Sequence, residues 1–311
     1  MKLSNSIKLA MANFSLFWKI LVYKIASVGI IILLLLPIWA SLSACLNASG
    51  FFDAFTNLFS ASIFQNMTNV TLNLFACFDG LVKAVGILAG TNMLAVIYTI
   101  MVVFVFAPFI LKLSDVPTSE TVYCYMSSLN RNSFTVNFLD EFGKSAGYSI
   151  LKTLLEIPFW IITFAGAYGI LSWAVNSEIM QILSPLILFA FVVFMIGLKT
   201  TLLSGWVSSI VVFNICAGRA FGKGMKAVKR KFLSTLSSFA VVVTIMFAII
   251  YMFGIYSLVV VIPLSSLITA VFGQVLFFES QGMNYYLTPD KIVMPRKLEQ
   301  ADNMKKMKSI I

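Results

Sequence analysis

The sequence predicts an all-α, polytopic membrane protein: a bundle of about six transmembrane helices with interfacial amphipathic helices beside them. Hydrophobic residues make up 60% of the 311 residues and charged residues only 11%, and the mean hydropathy is +0.96. A soluble domain has about 45–50% apolar and about 25% charged residues. Long apolar segments also recur along the chain, and about 20 such residues suffice for a helix to cross the hydrocarbon layer. A lipid bilayer is therefore the expected environment.

Six segments reach that length: residues 20–42, 92–113, 157–175, 180–200, 233–256 and 258–278. The apolar character of the fourth continues through residues 201–218, either as an embedded extension of that helix or as a seventh span. Charge favours six spans, because the basic N-terminus, the loop 114–156, the basic segment 218–232 and the basic tail then share one side. The positive-inside rule accordingly predicts that both termini are cytoplasmic.

The outer loop, residues 43–91, is long and rich in phenylalanine. Phe51 and Phe55 are four residues apart, and Phe75, Phe78 and Val82 share one helical face. These spacings predict two short helices in the outer interface. They form either a lid over a hydrophobic-ligand site or a cap that packs onto the bundle.

The predicted domain organisation is a single membrane domain, residues 1–280, followed by a cytoplasmic basic tail, residues 281–311. The membrane domain contains the outer loop 43–91, the cytoplasmic loop 114–156 and the basic cytoplasmic helix 218–232. In the tail, residues 283–293 are predicted to be extended around a Thr-Pro-Asp turn signal. The tail and its basic cluster, Lys305, Lys306 and Lys308, are expected at the cytoplasmic membrane surface.

The segment GRAFGKGMKAVKRKF, residues 218–232, contains six of the chain's 22 basic residues. Helical periodicity puts Phe221, Met225, Val228 and Phe232 on one apolar stripe, which predicts a basic amphipathic helix. The candidate lipid- or partner-binding residues are Arg219, Lys223, Lys226, Lys229, Arg230 and Lys231. Anionic lipids of the cytoplasmic leaflet are the expected ligands, and another membrane protein, such as a transporter subunit, is the alternative. Nucleic acid is not an expected partner, because no fold that binds it is recognisable.

Two further patterns involve charged residues near span ends. Near the N-terminus, Ile7, Met11, Phe14 and Phe17 form a second apolar stripe beside Lys8 and Lys19. Lys152 and Glu156 are spaced as an i,i+4 pair, and they are predicted to lie near the cytoplasmic interface, where an exposed pair stabilises little. Lys24 and Lys199 are predicted to extend to the interface in the same way.

No cofactor, metal or enzymatic activity is expected. The chain has no histidine, which removes a common general base and metal ligand, and its four cysteines form no CxxC pair. Cys45 and Cys77 both fall in the outer loop. They form a disulfide if the outside is oxidising, or they stay free thiols.

Two stretches resemble YesL-like bacterial integral membrane proteins. They are RNSFTVNFLDEFGKSAGYSILKTLLEIPFW, residues 131–160, and VVFNICAGRAFGKGMKAVKRKFLSTLSSF, residues 211–239. In that group an aromatic-rich helix with basic residues precedes a spanning helix. Some members are associated with carbohydrate ABC-transport systems, so the resemblance implies an accessory role.

The predicted function is therefore that of a non-enzymatic accessory, assembly or partner-binding component of the plasma membrane. The alternative is a transporter or permease subunit for a small or lipid-like substrate. This alternative rests on the outer loop and on prolines inside predicted spans: Pro37, Pro108, Pro158, Pro185 and Pro263.

Overall fold

The computed structural model describes residues 3–60, 67–129, 133–288 and 290–294. Helices account for nearly all of this part of the chain, and the two strands found in it form one short hairpin. Seven helical segments in it are long and apolar enough to cross a membrane. The predicted all-α, polytopic membrane fold is confirmed.

The helices are α1 Leu3–Ala12, α2 Ser15–Leu35, α3 Trp39–Ala48, α4 Phe51–Ser60, α5 Met67–Thr91, α6 Met93–Ile100, α7 Ala107–Lys112, α8 Asp115–Met126, α9 Phe134–Asp140, α10 Phe142–Ala174, α11 Glu178–Phe213, α12 Ala217–Arg230, α13 Phe232–Phe253 and α14 Leu258–Gln281. The strands are β1 Tyr285–Thr288 and β2 Lys291–Val293. A 3-10 turn at Leu36–Ile38 joins α2 to α3, and a π-helical segment at Met101–Phe106 joins α6 to α7. Pro37 lies in the first junction and Pro108 lies two residues after the second, so each irregular segment has a helix-breaking residue in or beside it.

The candidate spans are Ser15–Ala48, Thr68–Thr91, Met93–Met126, Phe142–Ala174, Glu178–Phe213, Phe232–Phe253 and Leu258–Gln281. Six of them correspond to the predicted segments, and the additional one is in the outer loop. Of the two short helices predicted there, the first is present as α4, Phe51–Ser60, and the second is wrong, because α5 is a single helix of 25 residues. Asp79 and Lys83 interrupt its hydropathy, but they form an ion pair one helical turn apart, at 2.7 Å.

The stretch after residue 200 forms no separate span. α11 runs unbroken from Glu178 to Phe213, so the extension that we predicted as one of two alternatives is the correct one. Its 36 residues give a length of about 54 Å, well above the roughly 30 Å of the hydrocarbon core. One end of α11 therefore extends beyond the apolar layer.

The chain divides into two compact units. The first comprises residues 1–25, 112–152 and 197–311, and the second comprises residues 26–111 and 153–196. The predicted boundary at residue 280 falls inside the first unit, because the start of the predicted tail packs into that unit's core.

In the first unit, α1, α2, α8, α14 and β1 share a core that includes Leu9, Ile20, Met126, Val271 and Tyr285. The predicted extended segment is confirmed as an antiparallel hairpin that pairs Tyr285 with Val293 and Tyr286 with Ile292. The expected surface position is wrong for β1, since Tyr285 and Leu287 are both buried. Residues 295–311, with Lys305, Lys306 and Lys308, lie outside the described residues.

In the second unit, α5 packs along α10 and α11. Phe75 stacks on Tyr168, and the Phe78 and Phe164 rings are 5.1 Å apart. The Thr71 hydroxyl donates to the Gln181 carbonyl at 2.6 Å. These contacts support the interpretation of the outer segment as a cap that packs onto the helices of its own unit.

Candidate functional site

The basic helix predicted at residues 218–232 is present as α12, Ala217–Arg230. Its buried face, however, is made mainly of small residues: Ala217, Ala220, Gly224 and Ala227, together with Val228. Of the predicted apolar stripe only Val228 is fully buried, and Phe221, Met225 and Phe232 are half-buried. The small residues indicate that α12 packs on protein rather than lying on lipid alone.

The contact between α11 and α12 is close enough for backbones to touch. A Cβ atom placed on Gly224 would lie 2.7 Å from the carbonyl oxygen of Gly205, so neither position has room for a side chain. The Trp206 indole donates to the Ala217 carbonyl at 2.7 Å, and the Ser209 hydroxyl donates to the Ala220 carbonyl at 2.6 Å. Because rigid backbone groups make these contacts, α12 is held in one position on α11.

The six candidate cations divide into two groups. Lys231 forms an ion pair with Glu279 at 2.6 Å, Arg230 donates to the Ser280 carbonyl at 2.7 Å, and the Lys223 ammonium lies 3.9 Å from the centre of the Phe213 ring. These three connect α12 to its neighbours. The other three, Arg219, Lys226 and Lys229, are exposed, and none has an ion-pair partner among the residues that the structure describes.

A small polar network surrounds the Lys231–Glu279 ion pair. The Tyr285 hydroxyl donates to Glu279 Oε1 at 3.3 Å and accepts from the Asn5 amide at 3.2 Å. Burial raises the pKa of Tyr285 to about 12, and the nearby carboxylate of Glu279 adds to the increase. The network joins α1, the α12–α13 junction, α14 and the C-terminal hairpin at one point.

A second group of charges is buried inside the first unit. The Lys152 ammonium on α10 lies 2.8 Å from Asp115 Oδ2 on α8, and both side chains are largely buried. Lys24 on α2 is only 6% exposed and interacts electrostatically with Asp115, as does Lys112. We refer to Lys24, Asp115 and Lys152 as the buried charge cluster; Lys112, beside it, is half-buried.

This cluster corrects the predicted interfacial positions. Lys24 does not extend to an aqueous interface, and Lys152 pairs with Asp115, a partner 37 residues away in the sequence. Glu156, the expected partner of Lys152, is itself buried. Spacing cannot reveal a pair whose members lie on different helices. Charged groups buried within candidate spans are, by default, candidates for function.

Two further predictions concern metal binding and a disulfide bond. Among the described residues, no group of three or more His, Cys, Asp or Glu side chains is arranged to hold a metal ion. Cys45 on α3 and Cys77 on α5 are separate, buried thiols in the structure. The disulfide between them stays a prediction.

Comparison with family models, with curated proteins and with solved structures finds no match to this chain. The resemblance to YesL-like proteins therefore stays a prediction.

Proposed function

We propose that this multi-pass protein is a non-enzymatic accessory component of a bacterial plasma membrane. In this proposal the exposed cations of α12 bind anionic lipid and position a membrane partner, such as a transporter subunit. The supporting observation is the rigid attachment of α12 to α11 through Gly205 and Gly224, which leaves Arg219, Lys226 and Lys229 exposed. An exposed Lys or Arg near an anionic leaflet contributes about 1 kcal/mol of attraction.

The proposed orientation has both termini in the cytoplasm. The Asn5 amide and the Tyr285 hydroxyl are 3.2 Å apart, so the two ends of the described chain lie together. An even number of complete crossings connects such ends, and at least one of the seven candidate spans then does not cross completely. The end of the first unit that holds α1, α12 and the hairpin carries several exposed cations, and the positive-inside rule places it in the cytoplasm.

The proposal is tested by brief crosslinking in native membranes, purification in mild detergent and mass spectrometry. The variant R219Q/K226Q/K229Q should lose a stoichiometric membrane partner, or anionic lipid, that the unmodified protein retains. A charge-matched control, K19Q/K83Q/K291Q, changes three exposed cations elsewhere and should retain both. Equal recovery of partner and lipid from the two variants would contradict the proposal.

A second candidate function, a transporter or permease subunit, is favoured by the buried charge cluster. Proline also lies inside three long helices, at Pro158 in α10, Pro185 in α11 and Pro263 in α14, where it weakens the helical hydrogen bonding. A saturable, protein-dependent flux in proteoliposomes would establish this role. The absence of any protein-dependent flux of small or lipid-like solutes would remove it.

A further inference from the structure

An apolar groove lies between α1, α13 and α14, within the first unit. Its volume is about 190 Å³, and only apolar side chains line it. α1 contributes Ile7 and Met11, and the turn that follows it contributes Phe14; all three are residues of the predicted N-terminal stripe. Val242 and Ile245 line the groove from α13, and Ile268 lines it from α14. The stripe on α1 therefore forms one wall of a groove.

The three helices meet at a polar end. Lys231, just before α13, pairs with Glu279 near the end of α14, and Tyr285 links that carboxylate to Asn5 on α1. We refer to this network as the polar junction. Polar and charged groups of this kind are expected at the level of the lipid headgroups.

The groove begins below the polar junction, at the level of the acyl chains. On α13 and α14 the lining residues nearest the junction are Val241, which follows Lys231 by ten positions, about 15 Å along a helix, and Phe272, which precedes Glu279 by seven positions, about 10 Å. The hydrocarbon layer of one leaflet is about 15 Å deep. A chain whose headgroup lies at the polar junction would therefore reach the groove.

Exposed cations accompany the polar junction. Lys8 is on α1, one residue from Ile7, and Lys229 and Arg230 are at the end of α12, next to Lys231. Glu279 is the acidic side chain in the junction, and it is already paired with Lys231. The charge complementarity thus favours a lipid with an anionic headgroup over a zwitterionic one.

We propose that this groove binds one acyl chain of an anionic phospholipid whose headgroup contacts Lys8, Lys229 and Arg230. The inference deepens the lipid contact of the proposed function and specifies the ligand class and its position. An apolar groove capped by cations at headgroup depth retains a specific lipid because both parts contribute to binding. The apolar part adds about 0.8 kcal/mol for each buried methylene, which is why filling the groove is the direct test.

The test uses phosphatidylglycerol with a photoreactive group in its acyl chain, in vesicles containing the purified full-length protein. Irradiation should label peptides of α1, α13 and α14. Photoreactive phosphatidylcholine should label them several-fold less. Replacing Lys8 or Lys229 by Gln should lower the phosphatidylglycerol labelling about fivefold for each cation. Equal labelling by the two lipids would overturn the proposal.

Groove-filling variants separate this lipid site from the proposed role of the exposed cations of α12. V242F and, independently, A10L should abolish labelling of the three helices while the exposed cations of α12 remain in place. V259F adds the same bulk at an exposed position of α14 outside the groove. Its three helices should be labelled as strongly as those of the unmodified protein. If V242F and A10L both fold and their helices are labelled as strongly as those of V259F, the groove is not the lipid site. Loss of labelling with partner recovery unchanged would leave the proposed function of α12 intact.

Discussion

Two lysine-containing regions of the first unit differ in the exposure of their charged side chains. Arg219, Lys226 and Lys229 on α12 are exposed, whereas Lys24 is buried, and Asp115 and Lys152 largely so, between helices. A buried charge depends on its partner, since removing one member of a buried pair costs about 3–5 kcal/mol. An exposed charge away from special contacts changes stability by less than about 0.5 kcal/mol. Burial thus decides whether a lysine contributes to stability or is free to bind another molecule.

The largest effect should come from Asp115. Replacement by Asn leaves the Lys152 and Lys24 ammonium groups buried without this carboxylate, and we expect a loss of about 3–5 kcal/mol. Thermal unfolding in detergent measures the change. D140N, at an exposed position of α9, should be neutral. The double variant D115N/K152M should recover part of the loss, and a D115N protein as stable as the unmodified one would show that the cluster is not an energetic unit.

Next in size is the glycine contact that positions α12. G224A places a methyl group 2.7 Å from a backbone oxygen of Gly205, and overpacking of this kind costs about 1–3 kcal/mol. Gly222 is two residues away, and a Cβ atom placed on it would have no other atom within 4 Å. G222A should therefore stabilise the helix by about 0.5–1 kcal/mol. Opposite signs for the two variants would support the close packing. Equal effects would contradict it.

Tyr285 should give a smaller, pH-dependent effect. Its pKa of about 12 in the folded protein is above the ordinary value of 10.0, so the folded state holds the proton more tightly. The stabilisation is present below pH 10 and is lost as the pH rises towards 12. Y285F should remove this loss of stability between pH 10 and pH 12, at a cost of about 1 kcal/mol for the missing hydrogen bonds. Y286F, at a half-buried neighbour, should keep the pH dependence of the unmodified protein.

The smallest change in stability should come from the exposed cations. R219Q/K226Q/K229Q should unfold within about 0.5 kcal/mol of the unmodified protein, because these side chains lie on the surface. The same variant should show weaker retention of anionic lipid by native mass spectrometry. A large loss of stability would place these cations with Arg230 and Lys231, as structural residues, and would remove the distinction between the two regions.

Local patterns were predictable and distant partners were not. The extent of α12 follows from its periodicity, and the run of apolar residues beyond Lys199 indicated the extension of α11. The 25-residue helix α5 was missed, because Asp79 and Lys83 lower its hydropathy while their mutual pairing makes them tolerable. The burial of Lys24 was missed because its neighbours Asp115 and Lys152 come from other helices. The contact between α11 and α12 could have been anticipated from Gly205 and Gly224, since small residues on two helices often mark close packing.

The sequence by itself determined the all-α membrane fold, the approximate positions of its apolar segments and the presence of a basic helix at residues 218–232. These properties follow from composition and from the 3.6-residue period, which are local. Only the tertiary structure decided which cations are exposed, which are paired and which face of α12 is buried. It also formed the groove between α1, α13 and α14, from residues more than 220 positions apart. Exposure and pairing depend on what packs against a side chain, and for these residues the packing groups are distant in sequence.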